Sequence, residues 1–372
     1  MDVPRIAAAG VLILVVLLAD SGLLRGESLL EVRRGPESGT VILEGSGRAN
    51  GSHRLELGYG LEDWWPVFAV RGTAEWSWDW DGVGDLREGF FRLVDAVPPV
   101  IASHSSLKTE ITLPDDDFLS EPLGGVGPRF EQVEVRWVKF ALIMDGLPRV
   151  YFQKTADYPF HFDFATERLS PFLGMDLEEF NGVSLFRDGQ EIVLGAVLWA
   201  PQREEYGIQL VGQDAYPREM VRFLYEAVDG QLGKPAGAEG FYMPTFEQTR
   251  AAERDRTYFS NHGIEVSSPE RWVGGSVCYA EGWALGRLVF VRGEEIEEAY
   301  ANGDLLPTDI LLTDGVPAEV PFVAGIISLA PSTPNSHVAI LAQSYGVPFV
   351  YLREPAEQER VTGLAGHEVV LR

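Results

Sequence analysis

A single cysteine, Cys278, stands in 372 residues, which excludes a disulfide framework and any cysteine-built metal cluster, and leaves the redox compartment open. Cations are scarce as well. Thirty Lys and Arg face 56 Asp and Glu, for a formal net charge of −26. Nucleic acid and anionic membrane surfaces are held by clustered cationic excess, so neither is an expected partner, and any phosphate chemistry has to be local. Long apolar runs are also missing. The longest, Ile6 to Ala19, is 14 residues, short of the ~20 that a spanning helix needs. It follows Arg5 and precedes Ala19-Asp20-Ser21, so residues 1–26 read as a signal peptide with small residues where a peptidase cuts. An uncleaved, cytoplasm-facing membrane anchor is the alternative. Export to the periplasm or cell envelope, or anchoring there, is the expected location.

What is present is ample apolar content, 45%, and a length that suits two domains. The expected fold class is α+β, a β-rich domain followed by a compact α/β unit. Residues 27–231 carry short alternating runs such as "TVILEG", "VEVRWVKFALIM", "RVYFQK" and "EIVLGAVLW", separated by Gly, Pro, Asn and Asp. "DGLP" at 145–148 predicts a turn and makes 133–154 a hairpin. Two helices interrupt this rhythm, one capped by Asp176 and one in "YPREMVRFLYEAVDGQL" that ends at Gly230. Residues 232–272 are polar and Gly/Pro-rich, with one helical patch around 248–256, and read as a linker or strap. From 273 to 372 strands and helices alternate at short spacing, as a compact α/β unit requires.

Three stretches invite a functional reading and have a plainer one. Trp76, Trp78 and Trp80 alternate, so one strand face carries three rings, which fits a buried sheet face better than a sugar platform. "YPFHFDF" at 158–164 puts His161 and Asp163 on one face of an expected strand, without a third ligand at a telling spacing. "LPDDDFLSEP" reads as an exposed acidic turn rather than a divalent-cation loop. No metal site is expected.

One histidine differs. In "APSTPNSHVAILAQSYGVPFVYL", His337 follows a Pro/Ser/Thr/Asn run that can cap a helix through Asn335 or Ser336, and Gly346 and Pro348 end that helix. Its ring therefore belongs in a first helical turn, where free N–H groups and the dipole favour an anion and depress the imidazole pKa. A neutral histidine there suits a phosphoryl carrier: one ring nitrogen attacks phosphorus, and N–H groups with the hydroxyls of Ser332, Thr333 and Ser336 hold the negative charge.

Around it, Gly303-Asp304 through Thr313, Pro317 and Pro321, Gly325-Ile326-Ile327, Ser336-His337-Val338-Ala339-Ile340-Leu341-Ala342 and Gly346-Val347-Pro348-Phe349-Val350 come in order. This resembles the swivelling phosphohistidine domain of the phosphoenolpyruvate-utilising enzymes, among them pyruvate phosphate dikinase and phosphoenolpyruvate synthase. The chain is similar to the N-terminal part of bacterial phosphoenolpyruvate synthase-like proteins. The resemblance implies a swivelling β/β/α domain over 273–372 and His337 as the phosphorylated residue. It implies an ATP-grasp partner domain or chain holding ATP and Mg, no cofactor bound by this chain, and a small-molecule acceptor such as pyruvate. Two features depart from the pattern: Pro331 to Asn335 replace a Gly-Gly and Thr run, and Gln343 stands where the family keeps Arg. The competing expectation is a non-catalytic exported binding or scaffold protein with a degenerate swivelling domain.

Overall fold

The computed structural model describes residues 5–8, 11–14, 30–34, 40–46, 52–58, 64–71, 75–80, 90–95, 107–113, 118–123, 133–144 and 148–372 except Val273. Within 1–26 it describes two backbone strands, β1 (Arg5–Ala8) and β2 (Val11–Leu14), paired antiparallel. The export and anchor readings otherwise fall outside the described residues, as does the Asp115–Asp117 turn. Among the described residues no helix is long and apolar enough to cross a membrane.

The chain is mixed α and β. β3 (Leu30–Arg34), β4 (Val41–Ser46) and β7 (Glu75–Trp80) form one antiparallel sheet, and β6 (Trp64–Arg71), β5 (Ser52–Gly58) and β8 (Phe90–Asp95) another. Strict alternation in β7 turns Trp76, Trp78 and Trp80 inward, where Trp78 and Trp80 meet Phe91 of the other sheet at 5.9 and 5.2 Å between ring centroids. The tryptophan row is core, not a platform.

The second layer is a seven-stranded sheet: β10 (Leu119–Leu123), β11 (Val133–Ile143), β13 (Ile192–Ala200), β14 (Glu205–Val211), β16 (Glu239–Tyr242) and β17 (Glu265–Val266), with β12 (Arg149–Phe152) completing the expected hairpin on β11. A two-stranded ladder, β9 (Ile111–Thr112) with β15 (Leu232–Gly233), lies apart. Every residue of β13 is buried, which requires cover on both faces. One face packs on α3 (Arg218–Asp229) and the N-terminal sheets through Val193 and Val197. The other face is divided. Ile192 and Leu194 lie under α1 (His161–Arg168) and α2 (Leu177–Ser184), whereas Leu198 and Ala200 lie under the C-terminal domain. A seam crosses the sheet between these two covers.

The segment read as a strap contributes structure of its own. It supplies β16 and β17, parallel to β14, and the helices α4 (Phe246–Arg254) and α5 (Arg256–Asn261). The stretch 158–164, expected as an alternating strand, is instead the entry into α1: Pro159 precedes it, and Ala165 to Arg168 continue the helix.

The C-terminal sheet runs β18 (Val277–Ala280), β22 (Phe349–Tyr351), β21 (Gly325–Ser328), β20 (Ile310–Thr313), β19 (Ala284–Phe290) and β23 (Glu368–Leu371), parallel through its four middle strands. β20 and β21 are uninterrupted buried runs, as a sheet covered on both faces demands. α6 (Ile296–Asn302) and α7 (His337–Tyr345) cover one face, and α8 (Pro355–Thr362) sends Val361 to the other. Trp137, Leu198, Phe241 and Met243 of the seven-stranded sheet share one core with Trp272, Tyr279, Val338 and Phe349.

Candidate functional site

His337 is the first residue of α7, directly after the loop that leaves the carboxyl end of β21, the edge at which open α/β sheets place their ligands. Ser336 is the N-cap: its hydroxyl accepts the Ala339 N–H at 3.1 Å. Gly346 closes the helix in the left-handed region at φ 67°, where a side chain would be strained. The loop is pinned from below by Tyr279, whose hydroxyl donates to the Ser332 carbonyl (2.7 Å) and accepts the Ser332 N–H (2.9 Å). Ser332 and Ser336 bring their hydroxyls to 3.1 Å. Thr333 is buried, and its carbonyl accepts the Ser336 N–H at 3.0 Å. The Gln343 amide donates to the Tyr279 carbonyl at 2.8 Å, which ties α7 to β18.

Across the seam, the seven-stranded sheet sets a row of paired residues beneath this loop. Lys139, Ala196 and Gln209 are partners on β11, β13 and β14, and the Gln153 N–H extends the row by donating to the Lys139 carbonyl at 3.0 Å. Neighbours two residues away on the same face are apolar: Trp137 and Leu198 lie toward the C-terminal domain, and Ala141 and Leu194 toward α1 and α2. The row is therefore a polar stripe lying where the cover changes. The Gln209 side-chain carbonyl accepts from the Asn335 amide at 3.3 Å, and the buried Asn335 Oδ1 has no hydrogen-bond partner.

Lys139 is 3% exposed. Its ammonium donates to the Pro159 carbonyl at 2.7 Å and lies 5.8 Å from the Phe160 ring centroid, and it has no carboxylate partner among the described residues. Phe160 in turn stands 5.2 Å from the His337 ring, centroid to centroid. Phe160 is the N-cap of α1 and offers no side-chain cap, and His161 follows at the first helical position. Its Nε2 lies 2.9 Å from the Gly195 carbonyl, which fixes Nε2 as the protonated nitrogen of the neutral ring. Two helix starts, each opening on a histidine, thus meet above a buried ammonium.

Burial pushes Lys139 down to about 7. Burial first, and then the Lys139 charge, hold His161 down at about 3. The protein around the His337 ring, and after it Lys139, lower His337 as well, although its outer edge is open to solvent. His337 is accordingly a neutral, solvent-reachable imidazole beside a buried amine that burial leaves only partly charged at neutral pH.

Of the hydroxyl residues named from the sequence, Ser336 precedes His337 and its hydroxyl meets that of Ser332, whereas Thr333 is buried. Lys139, Phe160, His161, Gln209 and Asn335 complete the surroundings, and sequence reasoning missed their part. Lys139 did leave a signal, a lone cation inside the apolar run "RWVKFALIM". Among the described residues no group of three or more His, Cys, Asp or Glu side chains is placed to hold a metal ion. No family model, curated protein or solved structure matches this chain.

Proposed function

We propose that this chain is the phosphoryl-carrier portion of a phosphotransferase resembling phosphoenolpyruvate synthase and the dikinases, with 273–372 as its swivelling phosphohistidine domain. His337 accepts a phosphoryl group from an ATP-grasp partner, domain or chain, that holds ATP and Mg, and passes it to a small acceptor such as pyruvate. The observation that carries this reading is the placement of a neutral His337 at the start of α7, solvent-reachable, between the Ser336 cap and the uncompensated Lys139.

A ring nitrogen of His337 attacks phosphorus with its lone pair, and the bond from phosphorus to the leaving oxygen breaks with its electrons on that oxygen. The acceptor oxygen then attacks the same phosphorus, the P–N bond breaks and the imidazole is restored. Free N–H groups of the first turn of α7 supply donors to the developing oxyanion, joined by the Ser332 hydroxyl once it turns from the Ser336 oxygen. An export or anchor segment at residues 1–26 belongs to the same proposal, and a cytoplasm-facing anchor keeps the site with ATP.

The second reading, an exported binding or scaffold protein with a degenerate carrier domain, is favoured by Gln343. A neutral amide tied to the Tyr279 carbonyl occupies the family's arginine position. Incubation of the full chain with an ATP-grasp partner and radiolabelled ATP separates the two. An acid-labile, base-stable label on wild type that is lost in His337→Ala supports carriage, and an unlabelled wild type overturns it.

A further inference from the structure

In a chain of net charge −26, a buried lysine without a carboxylate partner is the exception that needs an explanation. Buried ammonium groups are ordinarily neutralised by a neighbouring acid, and here only a backbone carbonyl and an aromatic face are provided. The sheet sets no acid beside it: Ala196, the residue paired with Lys139 on β13, has the smallest side chain of the row, and the other two members are glutamines.

The groups that meet there agree in sign. Lys139 has spare N–H donors beyond the one used on Pro159. α1 begins without a side-chain cap, so the N–H groups of its first turn are free, and α7 begins beside it with the His337 and Val338 N–H groups free. The titratable groups that couple to Lys139 are His161 on α1 and His337 on α7, and neither is an acid. Asn335, 7% exposed, differs in kind: its buried, unpartnered Oδ1 is an acceptor and calls for a donor at the same seam.

We infer that the β-rich domain carries an oxyanion half-site facing His337, in which Lys139 is the counter-charge for a phosphoryl group and the start of α1 supplies backbone donors. His161 is a positioning residue there, since its bond to the Gly195 carbonyl fixes the start of α1 over β13. The inference rests on the carrier reading for the identity of the anion as phosphohistidine. A free phosphate offers the same chemistry, and the two sources are separable. The consequence for the β-rich domain is a role: it receives the charged side of the carrier, so the phosphorylated form docks more firmly than the bare one.

The test uses the full chain and two probes, potassium phosphoramidate, which phosphorylates reactive histidines without a partner enzyme, and inorganic phosphate. Wild type, Lys139→Met and Lys139→Arg are compared. The methionine keeps the apolar stem and removes a buried charge together with its bond to the Pro159 carbonyl, a gain and a loss that oppose each other, so it is expected to melt close to wild type. Losing one charge-assisted contact is expected to slow phosphorylation of His337 about tenfold or more and to weaken inorganic phosphate binding, read by imidazole NMR shifts, by a similar factor, with arginine restoring part of both. Labelling and phosphate binding that are the same in wild type and Lys139→Met overturn the half-site and leave the carrier reading standing. Lys139-dependent phosphate binding with no label on wild-type His337 keeps the half-site and overturns the carrier.

Discussion

Lys139 and His337 share one aromatic neighbour: the Phe160 centroid lies 5.8 Å from the Lys139 ammonium and 5.2 Å from the His337 ring. The two residues are almost 200 positions apart in the chain, one on the strand β11 and the other at the start of the helix α7. Their juxtaposition is produced by the seam, where the C-terminal domain and the α1–α2 layer both end.

The seam sets a pH dependence of stability. Lys139 is held at about 7 in the fold and His161 at about 3, both below their ordinary values. Between about 7 and the ordinary lysine value the unfolded chain binds more protons than the folded one, so stability rises with pH there, by at most about 5 kcal/mol. A second rise, from His161, lies between about 3 and the ordinary imidazole value. Urea unfolding measured across pH checks both, and Lys139→Met is expected to abolish the upper rise and to shrink the lower without removing it, since burial is the larger cause of the His161 depression and the Lys139 charge the next.

Gly195 is expected to tolerate no side chain. A Cβ there would collide with the Phe140 ring and the Gln209 carbonyl oxygen from the two flanking strands. Gly195→Ala should cost about 1–3 kcal/mol through overpacking. It should also displace the carbonyl that holds His161, so thermal melting falls together with the labelling rate of His337.

Helix caps provide a matched pair of variants. Ser336 caps α7, and Asp176 caps α2 in a reciprocal capping box with Glu179. Each alanine variant should lose about 1 kcal/mol in denaturant unfolding. Only Ser336→Ala should slow phosphorylation of His337, because only that cap orders the histidine. Equal labelling in the two variants would contradict a role for the α7 start.

A latch between the domains is expected at Glu247. Its carboxylate accepts the Ala318 N–H at 2.6 Å while its other oxygen is buried without a partner, and burial raises its pKa. Above the ordinary carboxylate value the folded chain holds this proton longer than the unfolded one, so stability falls as pH rises through the raised value. Glu247→Gln keeps the acceptor without the charge and should raise the melting temperature at neutral pH. Glu247→Ala should lower it, by about 1–3 kcal/mol of unfolding free energy, because the Ala318 N–H is left bare.

Much of the local structure was legible. The β11–β12 hairpin, the Asp176 cap, α3 ending at Gly230 and the start of α7 all follow from signals within a few residues, which is the range over which caps and turns act. α1 was misread because Phe160, Phe162 and Phe164 recur with period two, the strand signature. Phe162 and Phe164 pack with Phe180 and Leu194 in the layer over the sheet, a tertiary arrangement that the period does not report. Half of the site was legible on the same grounds: Ser336 and His337 are consecutive, and Ser332 is one loop away. Lys139 and Gln209 were not, because the row joining them is written across three strands and only pairing register reveals it.

The shared core between the sheets has a mechanical consequence for the proposed carriage, which requires His337 to travel. Parting the domains would bring Trp137, Leu198, Phe241 and Met243 into water, at a cost on the order of 10 kcal/mol. Thermal motion alone would almost never open such a contact. A partner that draws His337 away must therefore offer an apolar face in exchange, so the ATP-grasp partner proposed above should be recognisable by a greasy surface as well as by its ATP site.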